Sequence, residues 1–124
     1  MSDLPTPFIL LCERCGLSPR DAAGYLDTTD ELIALWSRDH LSCPDHVIGQ
    51  LRLLYRQISA VAEAAMRDFV ELSRRQGAIA EVNLQVAADD EAARQLGLPC
   101  IGAHRAALGL VIARAHGTRF VLVG

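Results

Sequence analysis

No uncharged run approaches the ~20 apolar residues that a membrane-spanning helix needs, so no spanning segment is expected. Asp3, and no basic residue, precedes the short apolar run Phe8 to Cys12. A secretory leader is therefore not expected, and the cytoplasm is the expected compartment. A glycine-rich phosphate loop, a nucleophile elbow and a His-Glu-x-x-His pair are all missing, so neither an enzyme nor a bound cofactor is expected. Cysteines number only four, which without a leader reads as reduced thiols rather than a disulfide framework. Positive charge is scarce too. Residues 1–56 hold five arginines (14, 20, 38, 52, 56) against eight acids (Asp3, Glu13, Asp21, Asp27, Asp30, Glu31, Asp39, Asp45). That balance speaks against strong sequence-independent attraction to a polyanion.

What is present suffices for a core, since 51% of the 124 residues are hydrophobic. The stretch Leu17 to Trp36 organises the first half. Ser18 is a good helix N-cap with Pro19 at the first helical position, and Ala22, Ala23 and Leu26 are the apolar residues up to Leu26. Asp27 and Thr28 break the pattern. Thr29 caps a second short helix, with Leu32, Ile33, Leu35 and Trp36 on its apolar side. Upstream, Thr6 or Ser2 caps a first helix running from Phe8 to Cys15 and stopped by Gly16, with Phe8, Leu11, Cys12 and Cys15 on its buried side.

The run Cys15-Gly16-Leu17-Ser18, then Ala23, Leu26, Thr29, Trp36 and Pro44, resembles the repressor/Cro-type (Xre-like, lambda-repressor-like) helix-turn-helix family of bacterial and phage regulators. The register holds without a gap from Leu11 to Val47, and the resemblance covers about the first 55 residues. Pro19 stands where the family favours a Gln. The resemblance implies a sequence-specific DNA-binding transcriptional regulator, a repressor by expectation, whose second short helix lies in the major groove. Trp36 followed by Pro44-Asp45 is similar to the subgroup with a small C-terminal dimerisation domain. On this reading Thr29, Asp30, Glu31 and Ala34 face the groove, while Arg20, Arg38 and His40 fix phosphates. Acidic Asp30 and Glu31 are unusual leading readers, and equally suit the positive end of a helix. They motivate an alternative, a helix-turn-helix-derived protein-interaction module that does not bind DNA.

Two other chemistries have candidate residues. Cys12-Glu13-Arg14-Cys15 has redox spacing but falls at a helix C-terminus, where a thiolate is disfavoured. His40, Cys43 and His46 could join Cys12 and Cys15 as zinc ligands, but packing and capping roles account for these residues and no metal is expected. His104 and His116, taken to cap and flank one helix, lie ~18 Å apart along it, too far to share a proton or metal. Asp89 and Asp90 diverge on a helix and are explained by its first turn.

From Pro44 to Gln76 the only glycine is Gly49, which predicts one long helix. Leu51, Leu54, Ile58, Val61, Ala65, Phe69 and Leu72 form nearly a heptad seam that asks for a partner. Glu81 to Val86 alternates as a strand, Asp89 to Glu91 open a short helix Ala92 to Leu96, Ala103 to Ala115 is apolar nearly all round and hence buried, and Arg119 to Val123 is a second strand. The expected fold is mainly α with a small α+β part. It has a helix-turn-helix bundle over 1–56, then a long-helix continuation and a strand-helix-helix-strand appendix over 57–124. The expected partners are double-stranded DNA and a second copy bound through the long helix and appendix, with no membrane and no small-molecule substrate.

Overall fold

Side-chain oxygens set where the first helices begin. Thr6, Ser18 and Thr29 sit in extended backbone and open α1 (Pro7–Arg14), α2 (Pro19–Leu26) and α3 (Asp30–Ser37). Their oxygens accept from the N–H three residues on, in Ile9, Asp21 and Leu32, at 3.1, 3.1 and 3.2 Å. Each such cap contributes about 1 kcal/mol. Asp21 answers Ser18 by accepting from its backbone N–H at 3.4 Å, closing a capping box. The computed structural model describes residues 4–77, 79, 81–115 and 117–124. Ser2, the other candidate cap for the first helix, and His116 lie outside the described residues.

The same helices end alike. Gly16, Asp27 and Asp39 take left-handed backbone, with φ of 71°, 52° and 58°. The N–H of the following residue reaches back across each last turn, Leu17 to the Cys12 carbonyl, Thr28 to Ala23 and His40 to Leu35, at 2.9 to 3.0 Å. This satisfies carbonyls a helix end would otherwise leave bare. Glycine adopts such backbone freely, whereas aspartate does so at a cost.

The chain divides into two compact units, Met1–Arg56 and Gln57–Gly124. α4 (Asp45–Gln76) contributes to each. In the first unit α2 and α1 both pack on α3. Phe8 and Trp36 meet edge to face, 5.6 Å between centroids at 70°. Leu51 and Leu54 of α4 are fully buried, and each such side chain contributes about 1.5–3 kcal/mol. Two donors fasten onto carbonyls of α4: the Tyr25 hydroxyl donates to Gln50 at 3.2 Å and the Cys15 thiol to Leu51 at 3.6 Å.

Along α4 the buried positions are Val47, Leu51, Leu54, Ile58 and Ala62. The expected heptad seam drifts from this line after Ile58. Val61, Ala65 and Phe69 are half-buried and Leu72 is 40% exposed. A 3.6-residue turn carries a strict seven-residue repeat off the buried side, and Ala62 takes the place expected for Val61.

In the second unit β1 (Glu81–Gln85) and β2 (Arg119–Val123) pair in parallel, Glu81 beside Arg119 through Gln85 beside Val123. The crossover holds α5 (Asp90–Gln95), capped by Asp89, and α6 (Ile101–Arg114). Three expectations are corrected here. α6 starts two residues before Ala103, because its cap position Cys100 makes no side-chain cap bond and Asp90 of α5 accepts from the Ile101 N–H at 2.9 Å instead. α6 is not buried all round: Ala103, His104, Ala107 and Val111 are, but Ile112 is exposed. His104 does not cap. It lies in the first turns of α6, 5% exposed, and its Nδ1 accepts from the Ala87 N–H at 3.3 Å.

Among the described residues no helix is long and apolar enough to cross a membrane.

Candidate nucleic-acid interface

Helical periodicity gives α3 two sides. Ile33 and Trp36 are buried, and residues three and four apart on the other side, Asp30, Glu31, Ala34 and Arg38, form its outward face. Asp30, Glu31 and Arg38 are exposed and Ala34 is half-buried. Thr29 is exposed at the start of α3, its oxygen occupied by the Leu32 N–H, so its hydroxyl proton is left for an outside acceptor. His40 is exposed just past the end of the helix. Arg20 is exposed in the first turn of α2. Five of the seven candidate residues thus follow one another along α3 and its exit, with Thr29 at its entry and Arg20 on the neighbouring helix.

Ser37 is turned away from this role, because its hydroxyl donates to the Ile33 carbonyl at 2.7 Å. Among the described residues neither Arg20 nor Arg38 is held by an ion pair, the pairs present being Arg75 with Glu71 and Arg94 with Glu91. Both guanidinium groups are free to meet an anion. Arg14 is less free, lying over the Tyr55 ring at 6.0 Å. All twelve basic residues of the chain are arginine. Arginine holds a phosphate with two parallel N–H bonds where lysine offers a point charge, which raises the value of each cation on a surface that has few.

One of the counted acids takes a place that the sequence pattern does not assign it. Asp39, held at positive φ, stands between Arg38 and His40 and adds a third carboxylate to the end of this surface. A run of capped short helices could have suggested it, since the position just after α3 needs left-handed backbone and only Asp39 is there to take it. Arg14 and Arg52 also line an open groove between α1 and α4 of about 660 Å³, with Leu10 and Ile48 among its apolar walls.

No family model, curated protein or solved structure matches this chain.

The cysteines offer little chemistry. Burial first, then neighbouring Cys15, Cys43 and Glu13, push the Cys12 thiol up to about 12, so it stays protonated. Burial and then Asp45 raise Cys43 as well. Among the described residues no group of three or more Cys, His, Asp or Glu side chains is placed to hold a metal. What the first unit presents is a capped helix with a solvent-facing side of mixed charge, able to enter a groove or meet a complementary protein surface.

Proposed function

We propose that this chain is a sequence-specific DNA-binding transcriptional regulator of the repressor/Cro type, acting in the cytoplasm as a homodimer and repressing by operator occupancy. The observation that carries the reading is the two-sidedness of α3: Ile33 and Trp36 close the interior, and Thr29, Asp30, Glu31 and Arg38 on the opposite side are exposed. In a helix-turn-helix that outward side is the one laid into the major groove, while the preceding helix crosses the phosphates. Arg20 and Arg38 supply the phosphate contacts, and a dimer doubles them across a palindromic site without a basic protein overall.

Anisotropy titration of a mixed DNA pool at ~50 and ~200 mM salt tests this. Binding that selects a sequence, weakens with salt, and falls with Arg38→Ala is the expected result. No retention at the lower salt would overturn it.

Asp30 and Glu31 favour a second reading. Two exposed carboxylates lead the outward face of α3, where phosphates would repel them. A helix-turn-helix-derived module that binds a basic protein surface, and no DNA, would use them directly. A copurifying partner together with absent DNA binding selects it.

A further inference from the structure

β2 leaves half of its backbone unanswered. The Val86 N–H donates to the Val123 carbonyl at 2.8 Å, which turns the peptide groups of Val123 toward β1. Alternate residues of a strand aim their N–H and C=O at the same edge, so Arg119, Val121 and Val123 face β1 while Phe120 and Leu122 face away. Among the described residues no strand lies on that far side, and no other hydrogen bond reaches Phe120 or Leu122. Among the described residues little guards the edge: β2 carries no proline, its one charge is Arg119 at the start of the strand, and Leu122 is 57% exposed.

We infer that β2 pairs antiparallel with β2 of a second copy of this chain, about a two-fold axis at Val121, to give a four-stranded sheet ordered β1-β2-β2-β1. The pairing rests on the dimeric reading above and names its surface. Centred on Val121, the register sets Phe120 opposite the second copy's Leu122, and Leu122 opposite its Phe120. These are the residues whose peptide groups are free, so each pair exchanges two N–H···O bonds. Val121 faces itself as a non-hydrogen-bonded pair.

Side chains agree with that register. Alternate residues of a strand line one face, so Leu122 lies on the same side as Phe120, whose ring meets Phe69 of α4 at 6.4 Å. Pairing gives the exposed Leu122 an aromatic cross-strand neighbour beside that ring.

Charge agrees as well. Each Arg119 stays beside Glu81 of its own β1 and opposite Val123 of the second copy, whereas sliding the strands toward their N-termini would bring the two Arg119 together. The far edge of β1 is a poorer surface for this. Its outward residues Glu81, Asn83 and Gln85 are all polar and exposed.

Val121→Cys in the full chain decides the matter. A non-hydrogen-bonded antiparallel pair brings its two Cα atoms to about 4.5 Å, inside disulfide range. With oxidised glutathione, the expected result is a covalent dimer, reversed by thiol, forming about tenfold or more faster than in the parent with its native cysteines or in Asn83→Cys. Leu122→Pro removes an N–H that faces away from β1, so the parallel pair survives while the dimer weakens by about tenfold or more in sedimentation.

A parent that sediments as a dimer while Val121→Cys fails to cross-link, or while Asn83→Cys cross-links faster, overturns this surface and leaves the dimer standing. A parent that sediments as a monomer overturns both the pairing and the dimer. DNA binding by the parent is read separately by anisotropy.

Discussion

The two units solve the problem of a core differently. Met1–Arg56 buries Phe8, Ile33, Trp36, Leu51 and Leu54, large side chains that meet one another inside the unit. Gln57–Gly124 buries mostly alanines, Ala62, Ala87, Ala93, Ala103 and Ala107, with Ile58, Leu98 and Val111, while each unit leaves large apolar side chains exposed, Leu4, Leu10, Leu41 and Leu53 in the first and Val70, Leu72, Leu96, Ile112 and Leu122 in the second. Alanine contributes little burial per residue, and a two-stranded sheet is marginal alone. The first core rests on large side chains. On the dimeric reading a second copy completes the other, so its stability is expected to depend on protein concentration while that of the first does not.

The largest effect that would break this contrast is in the first core. Leu51 is fully buried and its carbonyl receives the Cys15 thiol. Leu51→Ala should cost ~2–5 kcal/mol. The chain has a single tryptophan, Trp36, so its fluorescence in a urea titration follows this unit alone. A midpoint that barely moves would show that the first core is not self-sufficient.

The next effect belongs to the second unit and to pH. Burial lowers the pKa of His104, whose Nδ1 accepts the Ala87 N–H. The unfolded chain then binds the proton more readily than the folded one. Stability is complete above the unfolded value of about 6.5 and is lost as pH falls through it toward the lower folded value. Protonation turns Nδ1 into a donor and strands the amide, a loss of ~1–3 kcal/mol when complete. Circular dichroism melts between pH 7.5 and 5 should show the second unit weakening and the Trp36 signal of the first unmoved. His104→Gln should flatten the profile, and a profile that stays steep would place the titration elsewhere.

Where the sequence could be read follows from how far each determinant reaches. Thr6, Ser18, Thr29 and Asp89 cap through bonds three residues long, and a local pattern displays them fully. The two sides of α3 follow from the 3.6-residue period. By contrast the start of α6 depends on Asp90, eleven residues upstream, and the role of His104 on Ala87, seventeen residues away. No window on the sequence shows those partners. The heptad seam takes in Val61, whereas Ala62 is the buried position, because a heptad and a 3.6-residue turn diverge only after several turns. For the candidate surface, Arg20, Arg38, Asp30 and Glu31 are legible as polar positions, whereas the left-handed backbone at Asp39 shows only once the end of α3 is fixed.

Smaller still is the effect of charge on the outward face of α3. Removing Asp30 and Glu31 as Asp30→Asn with Glu31→Gln leaves both side chains polar and should raise DNA affinity roughly fivefold per charge at low salt, the scale of one unit-charge interaction at close range in water. The two readings of the first unit part here. A regulator gains affinity, and a module that meets a basic protein surface loses its partner instead.

The smallest effect separates backbone strain from charge at one residue. Asp39 holds φ of 58° at the end of α3, beside Arg38. Asp39→Gly frees the left-handed position of its side chain and should stabilise the first unit by about 0.5–1 kcal/mol, with the Trp36 transition moving to higher urea. Asp39→Asn keeps a side chain that tolerates the same backbone while removing the charge. If both variants raise DNA affinity alike and only the glycine raises stability, the carboxylate acts on the ligand and the backbone on the fold. Were the asparagine to stabilise as much as the glycine, repulsion among Asp27, Asp30, Glu31 and Asp39 would be the larger cost in this unit. Its closed core would then be working against its own surface.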